Sequence, residues 1–284
     1  MNKLVFLLIL LLITCVLGAY VLRKRNTKIR EQFQTQSLYT AVIIEPRVHE
    51  AFEMVLENFL TRLDRRWDFI IFHGNLNKDL LENLIDTKFS EHKSRIKLIK
   101  MNIDNLTLYD YSRLFRCKRF YDYIPTEMFL IFQLDTLISD VYYDKIYDFM
   151  DYDYVGAPWA EHMIPHVKNR VGNGGLSLRR KSKMLEVIQN TTCPIDTLED
   201  QIFALYDNLN RPSIDEAMHF SVESIYYDQS FGIHKSWWYL SETQMQEISQ
   251  HIPGIYKLRD LYESHKNQPA QNVECEDIGC IFDI

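Results

Sequence analysis

Three short apolar runs constrain this chain more than any other feature. They are Thr40-Ala-Val-Ile-Ile-Glu45, Trp67-Asp-Phe-Ile-Ile-Phe-His73 and Met128-Phe-Leu-Ile-Phe-Gln133, each closed by a polar residue. Strands apolar on both faces need cover on both sides, the condition of a parallel sheet between helices. After the first run, Phe52, Val55, Leu56, Phe59, Leu60 and Leu63 recur with helical period. Leu76 to Leu84 predicts a second helix and Ile96 to Ile99 a third strand. This alternation predicts an α/β fold with a mostly parallel, Rossmann-type sheet flanked by helices. Ligands of such sheets bind beyond the carboxyl ends of the strands, where Glu45, His73 and Asp135 fall.

The later half is less regular. Tyr154 to Gly156 and Gly175 to Leu178 predict short strands. Lys181 to Gln189 and Glu199 to Asp207 predict helices, and a further helical stretch and tail follow Leu240. No internal repeat is evident.

Residues 4–22 carry no charge, and fourteen of them are Leu, Ile, Val or Phe. As a helix they would span roughly 28 Å, close to a bilayer core. Insertion of the fourteen is favoured by roughly 4–8 kcal/mol. The expected organisation is a transmembrane signal anchor to residue 22, a polar stalk over 23–38, a domain over 39–240 and a helical extension with a tail over 241–284. A cleaved signal peptide is the rival reading, from the small residues around Gly18 and Ala19. Arg23, Lys24, Arg25, Lys28 and Arg30 follow the span and predict a cytoplasmic domain. The sequons Asn105-Leu-Thr107 and Asn190-Thr-Thr192 point to the secretory lumen instead. Cys275 and Cys280 suit either a small disulfide or two free thiols. The net charge of −7 argues against a nucleic-acid surface.

Several residue types in this chain suit transfer chemistry. Asp135 follows an apolar strand and can hold Mg2+ or Mn2+ beside substrate phosphates, or simply cap a turn. His234, in Gly232-Ile-His-Lys-Ser-Trp237, can complete such a site and favours Mn2+, or serve structure alone. Lys235 can neutralise a leaving phosphate. Gly172-Asn-Gly-Gly175 is neither a Walker loop nor a dinucleotide fingerprint, but Gly174 and Gly175 permit positive φ and close backbone approach to a ligand. Glu199 and Asp200 open a helix, as caps or as a general base, with Asp200 preferred. Glu223 is a reserve acid, and Trp159 either stacks on a sugar or anchors the core.

Read together, these blocks resemble a family of glycosyltransferase-like domains of large DNA viruses and microbes, related to the GT-A superfamily. The resemblance runs from about Tyr39 to Leu240. It is carried by Ala41–Arg47, Trp67–Gly74, Ile124–Glu127, Phe132–Thr136, Tyr152–Trp159, Val171–Arg179, Glu199-Asp200, Phe220–Glu223 and Gly232–Trp237. It implies a GT-A-like fold and transfer of a sugar from a nucleoside-diphosphate sugar to a glycan, protein or lipid acceptor. Phe132–Asp135 then stands where GT-A enzymes carry Asp-x-Asp, with Gln133 replacing the first acid and so weakening or removing the metal site. Glu199-Asp200 stands at the base position and His234 at a late metal ligand. Glu45, Arg47, His73, Gln133, Gly174, Gly175 and Lys235 are expected around the donor, and Trp159 and Glu223 around the acceptor. The span resembles a Golgi-type anchor, which the basic flank contradicts. A membrane-tethered, non-catalytic module that binds a glycan or nucleotide sugar is the alternative from another class.

Overall fold

The apolar runs become strands because they are covered on both sides. A computed structural model describes residues 37–163, 170–192, 194, 196–265, 269, 270, 273 and 278–282. The strands are β1 (Tyr39–Glu45), β2 (Trp67–His73), β3 (Ile96–Lys100), β4 (Met128–Phe132), β5 (Thr136–Ile138), β6 (Tyr154–Gly156), β7 (Leu176–Arg180), β8 (Ser221–Val222) and β9 (Gly232–His234). The helices are α1 (Ala51–Arg62), α2 (Lys78–Asp86), α3 (Leu108–Leu114), α4 (Lys118–Asp122), α5 (Lys181–Asn190), α6 (Glu199–Leu205), α7 (Ile214–Ala217), α8 (Glu242–Ser249) and α9 (Ile255–His265).

The main sheet has the order β3-β2-β1-β4-β7-β6. Pairing is parallel from β3 to β4, while β7 is antiparallel to both β4 and β6. The sheet is therefore mostly parallel, with β7 alone reversed. That reversal, and a second sheet of order β5-β9-β8, were not visible in the sequence pattern. Strands as short as β5, β8 and β9 carry too little periodicity to reveal how they pair.

Alternate residues of each central strand enter different cores. Ala41, Ile43, Phe69 and Ile71 pack with Phe52, Val55 and Phe59 of α1. Val42, Ile44, Ile70 and Phe72 pack on the other side with Leu114 and Phe120. Each buried Phe or Ile contributes roughly 1.5–3 kcal/mol, which is why neither strand face can be polar. Phe132 stacks on Phe59 with ring centroids 4.0 Å apart, locking the end of β4 to α1.

Several expected boundaries move by one or two residues, and the second helix shows a physical cause. The second helix begins at Lys78, not Leu76. The Asn77 amide donates to the carbonyls of Glu45 and Arg47 at 2.8 and 2.9 Å, and its oxygen accepts from Gly74 N at 2.9 Å. These bonds tie the preceding loop to β1, so the helix starts only beyond them. Past Leu240, Met245, Ile248, Ile255 and Leu258 join the same core as α1.

Among the described residues no helix is long and apolar enough to cross a membrane. The apolar run 4–22 and the stalk to residue 36 lie outside the described residues, as does Cys275. Cys280 is disulfide-bonded.

Candidate active site

The strand order creates the site. From β1 the chain steps outward through β2 to β3, then returns on the other side of β1 as β4. Connections thus leave β1 and β4 in opposite directions, opening a crevice beyond their carboxyl ends. A cavity of about 330 Å3 lies there. Glu45 and Arg47 line it at and just past the end of β1, Gln133 and Asp135 just past the end of β4, and Tyr111, Lys235 and Tyr262 are among its other wall residues. Glu45 and Arg47 form a bidentate pair, with Arg47 Nε and Nη2 donating at 2.7 and 2.6 Å. His73 is brought to the same sheet edge but not into this wall. It is buried, with Nδ1 2.8 Å from the Gly74 carbonyl.

Asp135 and His234 meet through the second sheet. Thr136 on β5 faces His234 on β9 in antiparallel register, so the residue before one strand lies beside the end of the other. Asp135 Oδ1 is 3.4 Å from His234 Nε2, and Oδ2 is 2.9 Å from Lys235 Nζ. Behind them, His234 Nδ1 lies 3.1 Å from Glu223 Oε1, which also accepts from Asn173 Nδ2 at 2.8 Å. Burial alone would raise the Asp135 carboxyl, but Lys235 and His234 outweigh it and hold it well below the carboxylate range. Burial alone would lower the His234 imidazole, but Asp135 and then Glu223 raise it to about 9. Glu223 is thus a buried partner of His234, which corrects its expected place at the acceptor.

The reversal of β7 brings in the glycine turn. Leu176 pairs with Phe132, so β7 starts where β4 ends. Asn173 Oδ1 accepts from Gly175 N at 2.9 Å and holds the turn. A Cβ on Gly175 would overlap the His234 ring, and one on Gly174 would overlap Glu199 Oε1. Among the described residues no glycine has positive φ. Crowding by neighbouring side chains, rather than left-handed backbone, is why these positions exclude a side chain.

The turn therefore separates the Asp135–His234 pair from Glu199 and Asp200 by the width of two glycines. The two acids differ in surroundings. Glu199 is buried, with Oε1 3.2 Å from Arg179 Nη2 and Oε2 accepting from Ser112 Oγ at 3.2 Å. Asp200 is half-buried, and its Oδ1 accepts from Gln201 N at 2.7 Å. Burial, followed by the charge of Glu199, pushes the Asp200 carboxyl up to about 8.

Trp159 is the clearest correction. It is only 4% exposed, and a Cβ on Gly172 would lie 2.8 Å from its ring carbons. Packing, not a sugar, takes its indole. Sequence reasoning also missed Arg179, fully buried between Phe115, Tyr154 and Phe203 at 4.4 to 5.2 Å from their ring centroids. Its only trace in the sequence is an arginine closing the short run Leu176-Ser-Leu178.

Residues 95–234 match a family described as a protein of unknown function (DUF5672). No curated protein matches the chain. Among solved structures, HddC from Yersinia pseudotuberculosis is similar at 13% identity, covering 75% of this chain and 98% of that one, with a TM-score of 0.43. The apo-form glycosyltransferase GlyE of Streptococcus pneumoniae is similar at 9% identity, covering 83% and 66%, with a TM-score of 0.42. S. aureus TarS residues 1–349 are similar at 11% identity, covering 81% and 71%, with a TM-score of 0.41. These likenesses are distant, and the functional reading stands on the site itself.

Proposed function

We propose that this protein is a glycosyltransferase that moves a sugar from a nucleoside-diphosphate sugar to an acceptor hydroxyl. One observation carries the reading: Gly174 and Gly175 pack Asp135 and His234 on one side and Glu199 and Asp200 on the other, beside the cavity at the β1–β4 switch point. The donor diphosphate lies in that cavity, where Lys235 and Arg47 supply positive charge. Asp200 takes the acceptor proton, a role worth about 10²–10⁴-fold in rate. The acceptor oxygen attacks the anomeric carbon, and the carbon–oxygen bond to the diphosphate breaks with its electron pair leaving on the phosphate. Glu199, held by Arg179 and Ser112, is less free to serve as base.

A divalent ion fits the donor set. Asp135 Oδ1 and His234 Nε2 are buried, face each other at 3.4 Å and make no hydrogen bond. Two ligands of one octahedral ion at about 2.1 Å lie about 3 Å apart. Imidazole favours Mn2+ over Mg2+. Among the described residues no group of three His, Cys, Asp or Glu side chains could hold a metal, so phosphate and water would supply the remaining ligands. The ion would stabilise the charge developing on the departing nucleotide. Residues 4–22 would tether the domain to a membrane.

The test is nucleotide release by the full-length chain from a panel of nucleoside-diphosphate sugars, with Mn2+, Mg2+ or chelator. Release from one donor establishes the class, and its loss with chelator establishes the ion. Nucleotide binding without turnover under any condition would favour the non-catalytic binding module. A product heavier by a phosphosugar would instead show phosphoryl-sugar transfer.

A further inference from the structure

The expected acceptor platform, Trp159, is buried, yet the chain exposes other aromatics shortly after the cavity-lining Lys235. Trp238 is 52% exposed and Tyr239 is 43% exposed. Both follow Lys235, which has φ 46° and is the only non-glycine residue with positive φ among those described. Left-handed backbone at a lysine costs roughly 1–2 kcal/mol and persists only where the surroundings impose it. Here it serves two ends. It turns Lys235 Nζ inward onto Asp135, and it starts a 3-10 turn over Ser236–Trp238 that carries the next aromatics outward.

The outward pair is held rather than loose. Trp238 Nε1 donates to Glu263 Oε1 at 2.6 Å, and Tyr239 N donates to the Ser236 carbonyl at 3.0 Å. Lys235 Nζ, which lines the cavity, lies 4.5 Å from the centroid of Trp238, and about half of the tryptophan stays open to solvent. The indole is thus fixed by Glu263 and Lys235 while half of it remains exposed beside a charged cavity. The axial C–H face of a pyranose is apolar and weakly positive, and it complements the negative face of an aromatic ring.

We infer that Trp238 is the binding platform for a carbohydrate acceptor, with Tyr239 the exposed aromatic next to it in the chain. The inference rests on the glycosyltransferase reading and gives it an acceptor class, a glycan rather than a lipid or an unmodified protein. The indole would hold the sugar ring beside the Lys235 wall of the cavity, where a hydroxyl can approach the donor.

The test uses the full-length chain and titrates cellobiose, lactose, maltose and chitobiose, read by tryptophan fluorescence and calorimetry. At least one disaccharide is expected to bind. Trp238→Ala should weaken it about tenfold or more while Trp238→Phe retains most of the affinity. The thermal midpoint of both variants should stay within a few degrees of the parent, because the ring is exposed. Binding unchanged by Trp238→Ala, or no binding of any of the four by the parent chain, overturns the platform. UDP, GDP and CDP are titrated in parallel. Failure of all three to bind overturns the glycosyltransferase reading, whatever the sugars do.

Discussion

Gly175 lies directly against the imidazole of His234, with no room for a methyl group between them. This contact couples the glycine turn to the residue that faces Asp135. Gly175→Ala must therefore push His234 or bend the turn. We expect about 1–3 kcal/mol of lost stability, typical of overpacking. Sugar transfer should fall about 100-fold, since a displacement near 1 Å at a catalytic site costs that much. Steady-state kinetics and urea melts check both. Transfer at the parent rate would detach the turn from the mechanism.

Asp200 should govern the pH dependence of the reaction. Its carboxyl is pushed up to about 8 by burial and by Glu199, so the base form accumulates only as pH rises. The transfer rate should climb through about pH 7–8 and level off above about 9. Asp200→Asn should reduce the rate about 10²–10⁴-fold and remove this limb, with nucleotide affinity retained. Rate profiles of the two proteins between pH 5.5 and 9.5, values chosen to bracket that range, decide the matter.

The same shift has a consequence for stability. An unfolded aspartate titrates near 3.9, well below the folded value of about 8. Folding therefore favours the protonated carboxyl, whose contribution is complete below about pH 4 and is lost as pH rises towards about 8. Asp200→Asn has no such proton to lose. Its thermal midpoint should gain on that of the parent between pH 5 and 8, roughly the window of the shift, and the gap should stay constant above it. Calorimetry at spaced pH values measures the difference, and parallel curves would refute the shift.

Arg179 supports the site from within the core. Its guanidinium is fully buried among three aromatic rings and pairs with Glu199 at 3.2 Å. Arg179→Met would leave Glu199 buried without its cation, and we expect a loss of about 3–5 kcal/mol. Adding Glu199→Gln should recover part of that loss, because it removes the unpaired charge. Denaturant titration of the single and double variants gives the coupling, and additive losses would show that the two residues are independent.

Much of the frame was legible in the chain itself. Continuous apolar runs and a helical stripe require burial on two faces, and those requirements alone determine strands β1, β2 and β4 with α1 between the first two. The placement of Glu45, Gln133 and Asp135 at strand ends follows from the same local periods. Only tertiary structure decided which residues meet. The β5–β9 pairing sets His234 beside Asp135, and the reversed β7 carries Gly174 and Gly175 between two acid clusters. It also buried Trp159 and left Trp238 exposed, although both are tryptophans that follow a short glycine-containing strand. The reason is physical: periodicity is a property of neighbours along the chain, whereas long-range pairing and side-chain exposure depend on segments far apart in sequence competing for the same space.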